Sequence, residues 1–131
     1  MTLLASDVMT TEVVTVNEKS PLTDVTKLFG EGRIRGVPVV NDAGELVGMI
    51  SKTDILRKAN NLGAWSPNVV GQIMAKPVVT VAPTESLQQV CELMLNRRIH
   101  RVVVAEGKQL LGIITTMDIL TVVARQGTQI S

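Results

Sequence analysis

Residues 48–56 read GMISKTDIL, and residues 112–120 read GIITTMDIL. Each copy runs glycine, two apolar residues, a hydroxyl residue, two variable positions, aspartate, then Ile-Leu. Asp54 and Asp118 hold the same place, three residues after Ser51 and Thr115. An apolar run that ends in Ser/Thr-x-x-Asp and then switches to helical spacing reads as a strand feeding a helix.

Outward from these copies, the chain repeats itself. At an offset of 65 residues Met9 falls on Met74, and Val13, Val14, Thr15 and Val16 fall on Val78, Val79, Thr80 and Val81. Leu22, Val25, Leu28, Arg33, Ile34, Val37 and Val39 continue the match to Leu87, Val90, Leu93, Arg98, Ile99, Val102 and Val104. After one deletion near the NDAG stretch, Gly48 meets Gly112. Two copies are too few for a solenoid, so the expectation is two similar units of one module. The β-branched VVTV runs predict strands. A helix follows, with Ser20 as its N-cap and Pro21 at its first position. Leu22, Val25 and Phe29 share one face of it, as do Leu87, Val90, Cys91 and Met94 in the second copy. Two more strands come next, GVPVV and LVGMI, then RVVVA and LLGII, joined by the turns NDAG and EGKQ. A last helix starts at Ser51 and again at Thr115. The order is β-α-β-β-α, twice, a mixed α+β fold. Repeat one is set at 8–58, repeat two at 73–124 and the connector at 59–72, all within a single module of 1–131.

Composition narrows the function classes. The chain has 131 residues, 45% of them hydrophobic, and a net charge of +1. That supports a buried core and gives no electrostatic footprint for nucleic acid or an anionic membrane. Phe29 and Trp65 are the only aromatics, too few to stack single-stranded bases. Cys91 and His100 are the only cysteine and histidine, which excludes an internal disulfide and a structural zinc site. No apolar run is long enough to span a bilayer and the first residues do not read as a signal peptide, so a cytoplasmic location is expected.

In order, spacing and duplication, VMTTEVVTV and IMAKPVVTV, IRGVPVV and IHRVVVA, and GMISKTDIL and GIITTMDIL resemble a tandem pair of CBS (cystathionine-β-synthase) domains. The resemblance spans about 8–123. It implies two β-α-β-β-α units packed through their sheets, with clefts that commonly take adenosine-containing ligands and regulate a partner protein.

Two readings of the aspartates stand side by side. Ser51-x-x-Asp54 and Thr115-x-x-Asp118 fit a helix capping box, with Asp in place of Glu or Gln. The same carboxylate can accept the two hydroxyls of a ribose. The helix-start amides and hydroxyls could face phosphate, with the preceding glycine leaving room for close approach. The resemblance implies that Asp54 works with Val79, Ile99, His100 and Arg101, and Asp118 with Val14, Ile34, Arg35 and Gly36. The valines and isoleucines would hold the base, and Arg35, His100 and Arg101 the phosphates. His100 could equally be an ordinary strand-edge residue. Arg97 and Arg98 read as a solvated helix end. GEGRIRG lacks the spacing and context of a dinucleotide loop. Cys91 reads as a core residue and not as a nucleophile paired with His100, and Trp65 as a cover over a core edge. With no complete catalytic constellation, the expectation is a non-enzymatic, energy-sensing regulatory module. It would need no cofactor and would bind AMP, ADP or ATP, with S-adenosylmethionine and NAD as further options. It would form a homodimer through helix faces that include Ile55, Leu56, Ile119, Leu120, Val122 and Val123, and act on an unidentified regulated protein. The alternative is an interaction scaffold with empty clefts.

Overall fold

The computed structural model describes residues 2–30, 34–59 and 69–126. Trp65, Arg33 and most of the connector lie outside them. In chain order the elements are α1 (Ala5–Val8), β1 (Val16–Asn17), α2 (Leu22–Gly30), β2 (Gly36–Val40), β3 (Leu46–Ser51), α3 (Lys52–Ala59), α4 (Val70–Ile73), β4 (Thr80–Val81), α5 (Leu87–Arg97), β5 (Arg101–Glu106), β6 (Gln109–Thr115) and α6 (Thr116–Gln126). They form two three-stranded sheets, β1-β2-β3 and β4-β5-β6. In each, the first pairing is parallel and the second antiparallel.

The chain divides into two compact units, Val14–Val78 and Met1–Val13 with Val79–Ser131. This division is not the one the sequence repeats make. Each repeat opens with a segment that packs in the unit of the other. Ala5 N–H donates to Glu85 O (2.7 Å) and Ser6 N–H to Pro83 O (3.0 Å). Val70 N–H donates to Ser20 O (2.9 Å) and Gly71 N–H to Glu18 O (2.8 Å), the same pair 65 residues apart. Each unit has its own apolar core. One gathers Val25, Phe29, Val37, Val39 and Ile50 with Val70, Ile73 and Met74 from the incoming segment. The other gathers Val81, Val90, Met94, Val102, Val104 and Ile114 with Ala5. No polar or charged residue is buried among the described residues, so the side chains of these cores contribute through hydrophobic burial.

The predicted strands at GVPVV, LVGMI, RVVVA and LLGII are present. The VVTV strands are shorter than their β-branched runs, and the two copies differ. Thr80 pairs with Val103, whereas β1 starts pairing only at Val16 with Val39. Val103 N–H donates to Val79 O (3.5 Å). Pro38 stands at the equivalent place and has no N–H to give, so that rung cannot form. The turns also differ. Asn41 Oδ1 accepts from Ala43 N–H (3.0 Å) and Glu45 N–H (2.9 Å), and Gly44 takes φ +80°. The second hairpin closes in two residues with Gly107 at φ +62°, which accounts for the one-residue deletion.

Helix α2 begins at Leu22, which makes Pro21 the residue at the cap position and corrects the placement of the N-cap at Ser20. Ser86, aligned with Pro21, caps α5: its Oγ accepts from Gln89 N–H (3.1 Å), and Gln89 Oε1 accepts from Ser86 N–H (3.4 Å). Ser20 gives its carbonyl to the incoming segment instead. Arg97 ends α5, and Arg98 takes the left-handed conformation (φ 53°, ψ 44°) as its C-cap, with both side chains exposed. The solvated-helix-end reading of this pair therefore holds.

Candidate functional site

β3 delivers Ser51 to the start of α3, and β6 delivers Thr115 to the start of α6. Asp54 Oδ2 accepts from Ser51 N–H (2.9 Å) and Ser51 Oγ (2.9 Å), while Ser51 Oγ accepts from Asp54 N–H (3.2 Å). Asp118 Oδ2 accepts from Thr115 N–H (2.8 Å) and Thr115 Oγ1 (3.1 Å), and Thr115 Oγ1 accepts from Asp118 N–H (3.2 Å). Both copies are reciprocal capping boxes. A cap of this kind uses one oxygen of the carboxylate and fixes the direction of the other.

The surroundings correct two expectations. The room left by the glycines is filled by protein. A Cβ on Gly112 would lie 2.7 Å from Met9 Sδ and 2.9 Å from Thr10 O, and one on Gly48 would fall on Met74 Sδ. Each methionine of the VMTT and IMAK segments thus sits on the glycine of its sheet. The next residue then joins the sheet edge. Thr10 and Ile113 exchange backbone bonds (2.8 and 3.0 Å), as Ala75 and Met49 do (2.7 and 3.0 Å). The helix-start amides are also partly engaged: Lys52 N–H donates to Arg35 O (3.2 Å) and Thr116 N–H to His100 O (3.0 Å).

The structure places Val14, Ile34, Arg35, Gly36, Ser51 and Asp54 in the unit of Val14–Val78, and Val79, Ile99, His100, Arg101, Thr115 and Asp118 in the other. Val14 is exposed, and Val79 packs against its core. Ile34 and Ile99 each pack on the core of their own unit. Ile99 and His100 also line a cavity of about 550 Å³ between α5 and α6, with Cys91, Met94, Leu95, Arg98, Thr116, Ile119 and Leu120. Cys91 is therefore a half-buried wall residue and not a core one. Burial pushes its thiol pKa up, away from a reactive thiolate. No hydrogen bond joins it to His100 among the described residues. Leu120, expected on the dimer face, and Leu95, to which the sequence reading gave no role, are both exposed and line this cavity. Among the described residues no group of His, Cys, Asp and Glu could hold a metal ion, and no helix is long and apolar enough to cross a membrane.

The CBS domain family model matches residues 5–61 and 70–125. The chain belongs to the CBS domain family and carries the domain twice. An uncharacterised protein of Methanocaldococcus jannaschii is 34% identical over 119 residues, which cover 90% of this chain and 38% of that protein. The 5'-AMP-activated protein kinase subunit gamma-3 of Homo sapiens is 30% identical over 117 residues, covering 83% of this chain and 24% of the subunit. The chain thus spans well under half the length of both relatives. The crystal structure of CBSX2 in complex with AMP is 25% identical, with a TM-score of 0.85, covering 95% of this chain and 98% of that one.

Proposed function

We propose that this chain is a non-catalytic regulatory module that binds an adenosine-containing ligand and modulates a partner protein. The observation that carries the reading is the duplicated strand-to-helix junction, in which the cap consumes only Oδ2 of each aspartate. Asp54 Oδ1 and Asp118 Oδ1 are the acceptors for ribose hydroxyls. Val14, Ile34, Val79 and Ile99 bury the base, Gly36 keeps the backbone approachable, and Arg35, His100 and Arg101 meet phosphates. The AMP complex of CBSX2 and the kinase subunit named for AMP activation support AMP, ADP or ATP as the first ligands to test. S-adenosylmethionine and NAD follow. Energy sensing in the cytoplasm, on a protein still to be identified, belongs to the same proposal.

A homodimer completes it. Leu56 is 62% exposed and Leu120 57%, with Val123 also open, and most soluble oligomers close about a two-fold axis. Ile55 and Ile119, expected on that face, instead pack on their own cores.

Calorimetry with the five ligands on the wild-type chain tests the binding proposal. Heat and saturation with at least one of them are expected, and weakening by Asp54→Ala or Asp118→Ala. No binding at millimolar ligand overturns it. The second reading, a scaffold whose aspartates only cap helices, is favoured by the completeness of both capping boxes and would then stand.

A further inference from the structure

We infer that Thr10 makes the two aspartates unequal: its hydroxyl occupies the acceptor that Asp118 would offer a ribose, while Ala75 leaves that of Asp54 open. The inference rests on the nucleotide reading above. Thr10 Oγ1 donates to Asp118 Oδ1 (3.1 Å), from the residue that pairs with β6 beside Gly112. Ala75 holds the equivalent place beside Gly48, paired with Met49 on β3. A methyl group cannot donate, and Asp54 Oδ1 has no hydrogen bond among the described residues.

Acceptor capacity turns this difference into selectivity. A carboxylate offers about four lone-pair places, two on each oxygen. At both sites the hydroxyl residue and its amide fill the two places on Oδ2. Asp54 Oδ1 therefore keeps both of its places, which match the two neighbouring hydroxyls of a ribose. Asp118 Oδ1 has one place left after Thr10. A ribonucleotide at Asp118 must displace Thr10 or leave one hydroxyl unmet. The Asp54 site is thus the tighter one and the one that reads ribose against deoxyribose. The Asp118 site is weaker and less discriminating.

Calorimetry with AMP and 2'-deoxy-AMP on the whole chain tests this, using wild type, Asp54→Asn, Asp118→Asn, Thr10→Val and Ala75→Thr. Valine keeps the β-branched shape of threonine and its backbone pairing, and melting temperatures check that each variant is folded. The tighter AMP site of the wild type should be lost in Asp54→Asn and kept in Asp118→Asn. Thr10→Val should tighten the weaker site about tenfold and raise its preference for AMP over 2'-deoxy-AMP, a ratio that a purely structural role would not move. Ala75→Thr should weaken the tighter site about tenfold. If AMP binds but Thr10→Val and Ala75→Thr leave both sites and both preferences as in wild type, the inference is wrong and the nucleotide reading survives. The same holds if the tighter site depends on Asp118. If no protein in the set binds AMP, ADP, ATP, S-adenosylmethionine or NAD, both fall together.

Discussion

Asp54 and Asp118 hold the same cap, yet removing them should not cost the same. Asp54→Ala loses one capping box, a change of about 0.5–2 kcal/mol. Asp118→Ala loses the equivalent box and also the bond from Thr10 that ties the opening segment to α6, roughly 1 kcal/mol more. Urea midpoints at matched slopes would measure the difference, and equal midpoints would mean the Thr10 bond contributes nothing. The glycines form a second unequal pair. A Cβ on Gly112 meets a backbone oxygen at 2.9 Å, whereas on Gly48 the nearest backbone oxygen is at 3.2 Å and the closer atoms belong to a flexible methionine. Gly112→Ala should therefore destabilise by about 1–3 kcal/mol and Gly48→Ala by less. Thermal unfolding of the two variants checks the order, and a larger loss at Gly48 would contradict it. The Thr10/Ala75 difference stood in the sequence as one mismatch among many. Only the bridge to β6 and β3 gives it meaning, because a hydroxyl matters where it lands.

Among the elements, what could be read from sequence was whatever local patterning controls. The β-branched runs of β2, β3, β5 and β6 and the turns between them carry their own signal, and so do α3 and α6 with their Ser/Thr-x-x-Asp starts. The VVTV strands are shorter than their runs because strand length depends on the partner. β1 loses a rung to a proline 23 residues away in sequence, at Pro38 opposite Thr15. Ser20 is not the cap because α2 begins only at Leu22, and its carbonyl serves α4, a long-range partner that no local pattern announces. The face of α6 tests the dimer proposal at this scale. Leu120 is exposed and also lines the cavity beside α5. Leu120→Glu puts a charge where a partner's apolar surface would sit, which costs the association without touching either buried core. Light scattering should then show half the wild-type mass. A wild type that is already monomeric at micromolar concentration, or a variant of unchanged mass, would sink the interface.

For the whole molecule, the compact units and the stretches of chain that build them do not coincide. The unit of Val14–Val78 takes α4, which falls inside the stretch expected as connector, and Met74 from the C-terminal side of residues 60–68, and the other unit takes α1 and Met9 from the far end of the chain. Neither core is completed by chain from one side of the connector alone. A protease that cut within 60–68 would therefore yield two fragments that each lack part of both cores. The nicked protein should stay a single species in gel filtration under native conditions and come apart only in denaturant. Fragments 1–64 and 65–131, made separately, should be poorly folded alone and regain the wild-type circular dichroism on mixing. Prompt separation of the nicked halves in buffer would show that the incoming segments hold little. Cutting at 13–14 and 78–79 instead would follow the seam between the units. These outcomes would make the molecule a natural split protein. A cut there shares the residues of each core between two fragments, so chain continuity through 60–68 keeps two mutually dependent halves at a high effective concentration.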